Sequence, residues 1–283
     1  LDVPAIPVAI VAAHDTASAV AAIPLSDDVA FLSCGTWALL GAEVPKPVLD
    51  ARVRTWGFTN EGALGGAYRL LKNIPGLWLV EACRRAWSAA GMVFSHDELL
   101  AAATAAPPFT VLIDPGAPEF LNPPSMPAAI RTWCVQTGQT PPEEPGALLR
   151  AILESLALTF RRTLDQLEAL LDRRFSALHL VGGGANNTLL CQLTADAIGR
   201  PVRSGPVEAT TAARPSSSQR GTIALRAIGS LAEGRDLVQR SFPPRVYEPQ
   251  TAGSATGPGR VPRQADWEEA AERLASLIAA RTR

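Results

Sequence analysis

The stretch ALHLVGGGANNTLLCQLTADAIG, residues 177–199, joins an apolar run, three successive glycines and a helical apolar pattern without a break. This succession predicts a buried strand over 177–181, a tight turn at Gly182–Gly184 and a helix from about Asn187 to Ile198. Backbone N–H groups at such a strand-to-helix turn can bind a nucleotide. The turn can equally serve only to let the helix pack close to the strand, and the stretch alone leaves both interpretations open.

Two common phosphate-binding loops do not match this turn. A dinucleotide-binding fingerprint needs a third glycine at position 187, where the chain has Asn187. A P-loop needs Gly-Lys followed by Ser or Thr, and this sequence contains no such tripeptide.

A second glycine turn lies upstream, in DVAFLSCGTWALLGAE, residues 28–43. Two apolar runs meet there at Cys34-Gly35-Thr36, which predicts a β-hairpin. The Thr36 hydroxyl at its tip could hold phosphate oxygens, although a plain hairpin explains the pattern as well.

The following segment, 57–87, begins glycine-rich and becomes amphipathic. Its apolar residues fall near helical spacing, with Pro75 as a break or a new helix start: Leu70, Leu71, Ile74, Leu77, Trp78, Val80 and Cys83.

Helices dominate the remainder of the predicted structure. A helix opens at His96, a proline-dense loop covers 115–130, and 127–137 can turn helical. Residues 146–174 are the clearest helix, and residues 265–283 predict an amphipathic one after a Gly/Pro-rich segment at 252–262. The apolar stripe of the clearest helix is Leu149, Ile152, Leu156, Phe160, Leu164, Leu167 and Leu171. Strands that alternate with helices indicate an α/β fold.

Near the start, VAIVAAHDTASAV, residues 8–20, predicts a buried strand over 8–13 and a short helix over 16–23. Asp15 between them is either a helix N-cap or a general base at the end of a strand. A hydrolase triad of His14, Asp15 and Ser18 is disfavoured, because the three are too close in sequence and no G-x-S-x-G motif is present.

Composition excludes several classes of protein. The 283 residues are 47% hydrophobic with a net charge of −1 and no block of like charges, so nucleic acid and membrane surfaces are not implied. No apolar run reaches the roughly 18–20 residues of a membrane span. The scattered cysteines and histidines argue against a structural metal site or disulfide scaffold and favour a cytoplasmic location. They are Cys34, Cys83, Cys134, Cys191, His14, His96 and His179.

Several stretches together resemble the C-terminal domain of the FGGY carbohydrate kinases, and within that family the rhamnulokinases, over about residues 5–210. They are HDTASAV, FLSCGTWALLG, TNEGALGGAYRLLKNIPGLWLVEACRRAW, FLNPPSMPAAI, LHLVGGGANNTLLCQLTADAIGRPV and GPVEAT. The resemblance implies an actin-like (ribonuclease-H-like) ATPase domain with a mixed central sheet flanked by helices. It further implies transfer of a phosphoryl group from ATP, with Mg²⁺, to a ketose, foremost L-rhamnulose to L-rhamnulose 1-phosphate.

The resemblance also implies roles for particular residues. Asp15 resembles the catalytic base of the family, and His14 and Thr16 resemble its sugar-contacting neighbours. The residues implied at the ATP site are Thr36 (γ-phosphate), Asn73, Glu81, Gly182, Gly183, Gly184 and Asn187. Related enzymes can carry Gln at the position of Glu81. No metal-binding side chain is implied.

The expected domain organisation is an ATP-binding domain over 1–250, with a linker and a helix that packs on it over 251–283. The sugar-binding N-terminal domain of the family is not in the sequence, and the surface meant to face it would favour self-association. The segment TAARPSSSQRG, 211–221, interrupts an expected helix as a diverged loop or a shifted reading frame. Two alternatives stay open: a non-catalytic nucleotide-binding module, and a kinase for another sugar such as xylulose or ribulose.

Overall fold

A computed structural model describes residues 15–207, 230–250 and 261–281. The predicted strand at 8–13, His14 and the 211–221 segment lie outside these residues. The strands are β1 (Val29–Cys34), β2 (Trp37–Val44), β3 (Phe58–Gly62), β4 (Tyr68–Pro75), β5 (Ala177–Val181), β6 (Val202–Ser204) and β7 (Arg245–Tyr247). The α-helices are α1 (Asp15–Ala22), α2 (Ala51–Thr55), α3 (Trp78–Ala89), α4 (His96–Ala105), α5 (Met126–Gln136), α6 (Pro145–Leu171), α7 (Thr188–Ile198), α8 (Leu231–Ser241) and α9 (Gln264–Arg281).

The strands form one mixed sheet in the order β3-β4-β2-β1-β5-β6-β7. The chain enters the centre at β1, turns back antiparallel through β2, and later returns beside β1 in the parallel strand β5. β6 continues the parallel pairing, while β3, β4 and β7 pair antiparallel with their neighbours. The predicted hairpin at 28–43 and the mixed α/β arrangement are confirmed.

One face of the sheet packs against α6, and we call it the α6 face. This 27-residue helix begins at Pro145, where the missing N–H costs no hydrogen bond, and ends at Asp172, whose φ of 48° stops the helical path. Gly146 lets α6 approach α4, since a Cβ there would lie 2.6 Å from the Cβ of Ala102. Most of the predicted apolar stripe is fully buried: Leu149, Ile152, Leu156, Phe160, Leu164 and Leu167.

The opposite face carries α1, and we call it the α1 face. Its core cluster consists of six buried residues: Ala19, Val20, Ile23, Phe31, Leu71 and Val181. Two of them lie in α1, Ile23 directly follows it and the other three come from the sheet, so this short helix of small residues and the residue after it are the main apolar cover described on this face.

The prediction of helical spacing across 70–74 is wrong, because these residues form β4 between β2 and β3. Leu70 packs into the core of the α6 face and Leu71 into that of the α1 face, as neighbours on a strand must. A strand that is buried on both sides loses its polar alternation and imitates a helix in sequence. Pro75 does end this element, and the helix starts afresh at Trp78.

The other predicted helices are confirmed at His96–Ala105, Met126–Gln136, Thr188–Ile198 and Gln264–Arg281. The last of these, α9, buries Trp267 completely, and the indole packs edge-on against Phe109 at 4.7 Å between ring centroids. Arg273 on the same helix donates to the Phe109 carbonyl at 2.6 Å. The division of the chain near residue 250 stays a prediction. Among the described residues, no helix is long and apolar enough to cross a membrane.

Candidate functional site

The tip of the β1–β2 hairpin is held by the start of α3. The N–H groups of Leu77 and Trp78 donate to the carbonyls of Gly35 and Thr36 at 2.8 and 3.2 Å. Gly76 makes this approach possible, because a Cβ there would lie 2.6 Å from the Gly35 carbonyl oxygen. Thr36 itself stays exposed. These hydrogen bonds therefore fix the backbone of the tip, and the exposed Thr36 lies just beyond the carboxyl end of β1.

The glycine turn after β5 lies directly against this hairpin. Gly182 has a φ of 83°, and a Cβ there would lie 2.8 Å from the Cys34 carbonyl oxygen. A Cβ on Gly184 would lie 2.7 Å from both Cβ and Sγ of Cys34. Packing against Cys34 is by itself a sufficient reason for glycine at both positions. Gly183 differs, because it is exposed and a Cβ there would meet no atom of the described chain within 4 Å.

Asn187 closes the turn and starts the next helix. Its side chain is 2% exposed, and its Oδ1 accepts from the Leu190 N–H at 2.9 Å, which makes it the N-cap of α7. Ser204 supports the turn from β6 by donating to the Ala185 carbonyl at 3.1 Å. The turn is consequently anchored at both ends, and its open part is the backbone around Gly183.

Asn73 reaches the same edge from β4. It is exposed and lies in register with Leu39, which in turn pairs with Ser33, and Ser33 pairs with Val181. Register partners share one face of a sheet, so this row runs along the α1 face from Asn73 to the residue just before Gly182. The sequence alone did not indicate which face Asn73 occupies.

Helix α1 is held to the sheet at its last turn. Its last turn lies beside Glu43, at the far end of β2, because Arg235 contacts both Glu43 and the carbonyls of Val20 and Ala21. An eight-residue helix rises about 12 Å, so Asp15 at its other end begins about 12 Å from this turn, and its place at the site stays a prediction. Thr16 in the first turn is buried and has an interaction partner within the chain.

Glu81 stands apart from the other residues predicted at the ATP site. It is exposed in the first turn of α3, and its carboxylate accepts from Arg84 at 2.9 Å. Together with Arg84, Arg85 and Ser88 it lines a shallow pocket of about 210 Å³ on that helix. None of its described contacts reaches the glycine turn, so its role at a nucleotide stays a prediction.

The buried titratable groups beside the site are neutral near pH 7. Burial raises the pKa of the Cys34 thiol to about 12 and that of Cys191 to about 11. Burial also lowers the pKa of His179 to about 4, while its Nε2 lies 2.6 Å from the Gly205 carbonyl oxygen. Within the part of the chain that the structure describes, no three His, Cys, Asp or Glu side chains cluster as a metal site would require.

Two residues that shape the site were not singled out from the sequence. Gly76 permits the contact between α3 and the hairpin tip, and Trp37 beside Thr36 leaves 45% of its surface exposed. A Pro-Gly pair between a strand and a helix is a signal that could have identified Gly76. For Trp37 the signal is an aromatic residue at a predicted hairpin tip.

Comparison with known proteins decides the family. The profile of the FGGY family of carbohydrate kinases, C-terminal domain, matches residues 30–212. The chain belongs to this family. FGGY relatives include the rhamnulokinase of Bacteroides thetaiotaomicron, 46% identical over 252 residues that make up 87% of this chain and 50% of the relative. The rhamnulokinase of Pectobacterium carotovorum is 41% identical over 254 residues, or 89% of this chain and 50% of the relative.

The FGGY chain spans about half the length of the curated relatives it matches. Solved structures with the same fold include a xylulose kinase from Rhodospirillum rubrum, with a TM-score of 0.63, 19% identity, and coverage of 93% of this chain and 49% of that one. Another is Plasmodium falciparum glycerol kinase with ADP, with a TM-score of 0.61, 14% identity, and coverage of 94% and 50%. These likenesses confirm the actin-like α/β fold expected from the resemblance.

Proposed function

We propose that this FGGY chain is the ATP-binding half of a sugar kinase that converts L-rhamnulose to L-rhamnulose 1-phosphate. The observation that carries the proposal is the convergence of the Thr36 tip, Asn73 and the glycine turn at one edge, and we assign Asp15, at the start of α1, to the same edge. The choice of sugar rests on the relatives named rhamnulokinase, which are up to 47% identical to the chain.

The open backbone at Gly183 suits a nucleotide. Because glycine has no side chain, a ligand can approach the backbone closely there. We assign the phosphate end to the exposed hydroxyl of Thr36 and the sugar and base of the nucleotide to the turn around Gly183, with Asn73 between them. Asn187 would support the turn by capping α7, and Glu81 would border the nucleotide from α3. Bound ATP, with Mg²⁺ carried on its phosphates, supplies the phosphoryl group.

The remaining chemistry belongs to the residues at the start of α1. Asp15 would accept the proton of a sugar hydroxyl while that oxygen forms a bond to the γ-phosphorus. The bond between the γ-phosphorus and the leaving oxygen breaks at the same step, which releases ADP and the sugar phosphate. His14 and Thr16 would contact the sugar. Phosphoryl transfer requires mainly this positioning, which is worth several kcal/mol.

The half of the relatives that this chain does not match is proposed to supply most sugar contacts and a second phosphate contact. The exposed carboxyl edge, including Trp37, would face that half, and in its absence the same surface would favour self-association. Because ATP is its co-substrate, we place the activity in the cytoplasm. The chain by itself should then bind ATP but transfer phosphate very slowly.

A coupled ADP-release assay tests the proposal. The chain alone and the complete two-domain kinase are each supplied with Mg-ATP and L-rhamnulose, D-xylulose or L-ribulose, with a sugar-free control. We expect L-rhamnulose to give the highest kcat/KM with the complete kinase and the chain alone to stay far below 1 s⁻¹, the low end for kinases. Preference for another sugar would overturn the substrate, and ATP binding without turnover by the complete protein would leave a nucleotide-binding module.

A further inference from the structure

Arg235 on α8 binds the last turn of α1, the end of the helix opposite Asp15. Its Nε donates to the Ala21 carbonyl at 3.3 Å, and its Nη2 donates to the Val20 carbonyl at 3.4 Å and to Glu43 at 2.7 Å. The Arg235 side chain is 14% exposed and that of Glu43 is 23% exposed. One guanidinium thus joins the last turn of α1 to β2 of the sheet, although Arg235 lies 214 residues after Ala21 in the sequence.

This contact matters because α1 is short. An isolated helix of eight residues is not stable in water, so packing and end contacts must hold α1 in place. The last carbonyls of a helix lack partners within the helix and carry its partial negative charge. Arg235 donates to the Ala21 carbonyl and to that of Val20, which also accepts from the Ile23 N–H at 3.2 Å, and its charge complements this end of the helix. The apolar packing described for α1 is the small cluster of the α1 face, which contains two of its side chains, Ala19 and Val20, and Ile23 directly after it.

Glu43 holds the guanidinium at a defined position on the sheet. It lies on β2 in register with Arg69 of β4, and Arg69 is 3% exposed and paired with Glu61 at 3.0 Å. Glu43 therefore belongs to a row of charges fixed by strand pairing on the α1 face, and Arg235 extends this row to α1. Through Arg235, the carbonyls of Val20 and Ala21 are therefore linked to a residue of the sheet.

We propose that Arg235 is a positioning residue, which fixes the register of α1 on the sheet so that Asp15 stands at the carboxyl edge of β1. The proposal rests on the proposed function, in which Asp15 is the base. Loss of the contact would let α1 shift or fray, and a base displaced by about 1 Å costs turnover heavily while leaving the nucleotide contacts intact. The described bonds of Arg235 go to Val20, Ala21 and Glu43 and to no residue of the proposed site.

The chain offers a matched control in Arg200. Its side chain is 15% exposed and donates to one carboxylate, Glu168, and to two carbonyls, those of Phe175 and Ile198. It thus makes the same kinds of bonds as Arg235, at the same burial, but it joins α6 to α7 on the other side of the sheet. Arg200→Met therefore reports what loss of such a cluster does to general stability.

The experiment combines two readouts on Arg235→Met, Arg235→Lys, Glu43→Gln and Arg200→Met. Amide hydrogen exchange over residues 16–22 is measured on the chain, and kcat and KM for ATP are measured on the complete kinase. Arg235→Met should speed exchange in α1 about tenfold and lower kcat about tenfold, with KM for ATP changed less than about twofold. Arg235→Lys should recover part of both effects, and Glu43→Gln should show a smaller form of them.

Three results would overturn the proposal. Arg235→Met could leave exchange in α1 unchanged, Arg200→Met could lower kcat as much as Arg235→Met does, or KM for ATP could rise in parallel with the loss of kcat. If Arg235→Met does not fold, Arg235→Lys and Glu43→Gln carry the same comparison. If the wild-type kinase shows no sugar-dependent turnover, the proposed function fails, while the exchange data still decide whether Arg235 fixes α1.

Discussion

The two faces of the sheet differ in how they are covered. The α6 face packs against a 27-residue helix and a continuous core that extends through α3, α4, α5, α7 and α9. The α1 face has an eight-residue helix and a core cluster of six buried residues. Yet Asn73 and the start of α1, two parts of the proposed site, belong to the thinly covered face. Within the described residues, the α6 face therefore holds most of the buried apolar core, and the α1 face holds the smaller cluster beside the proposed site.

This division has a physical reason. A face that receives substrate cannot be filled by side chains, so the free energy of folding must come from elsewhere, and regions that bind ligands are commonly those of low local stability. The proposed site compensates with backbone contacts. The hairpin tip, the start of α3 and the glycine turn are held by hydrogen bonds and close backbone packing at Cys34.

The largest expected effect is catalytic and lies on the α1 face. In the complete two-domain kinase, Asp15→Asn should lower kcat by about 10²–10⁴, the usual contribution of a positioned base, with ATP affinity nearly unchanged. Steady-state kinetics and calorimetry with a non-hydrolysable ATP analogue measure the two quantities. A variant with near wild-type turnover would show that Asp15 is not the catalytic base. It would also remove the evidence that the α1 face carries the catalytic function.

Truncation of one buried side chain on each face tests the structural half. Phe160→Ala on α6 should lower the free energy of unfolding by about 3–5 kcal/mol, because it leaves a large cavity in a continuous core. Val20→Ala on α1 should lower it by only about 1–2 kcal/mol. Urea denaturation of the chain gives both values. Equal losses would show that the two faces contribute alike.

Acid should act on the α1 face through His179, which lies in register with Phe31. Its pKa is lowered to about 4 by burial, from about 6.5 in an unfolded chain, so the folded state holds it neutral. The stability from this histidine is complete above pH 6.5 and should be lost as the pH falls toward 4, by about 3 kcal/mol. His179→Gln should remove this pH-dependent difference, and the exposed His96→Gln should retain it. Parallel curves for wild type and His179→Gln would contradict the assignment.

The smallest expected effect separates ligand binding from packing within the glycine turn. Gly183→Val should leave folding unchanged, since its Cβ meets open space, but should weaken binding of an ATP analogue about tenfold or more. Gly184→Ala is the control with the opposite pattern, because its Cβ would clash with Cys34 and destabilise the fold. Calorimetric titration and thermal melts distinguish the two. Unchanged affinity in Gly183→Val would assign the whole turn to packing.

Local patterns predicted much of this fold. The hairpin at 28–43, the apolar stripe of α6 and the strand-turn-helix at 177–198 were all recognisable, because each is encoded by a short period or a turn residue. The strand β4 was missed since its residues are buried on both faces and therefore lack alternation. The exposed position of Asn73 on the α1 face depends on that strand, so it was missed with it.

Apart from β4, the sequence by itself determined most of the element types, the glycine turn and the family, since each depends on residues close together in the chain. Only the tertiary structure decided which glycine is free. Gly182, Gly183 and Gly184 are identical in sequence, and they differ because Cys34, nearly 150 residues away, lies against the first and the last. It likewise decided that Arg235 meets the end of α1. Contacts between distant segments depend on how whole helices and strands pack together, and a local sequence pattern carries no information about that packing.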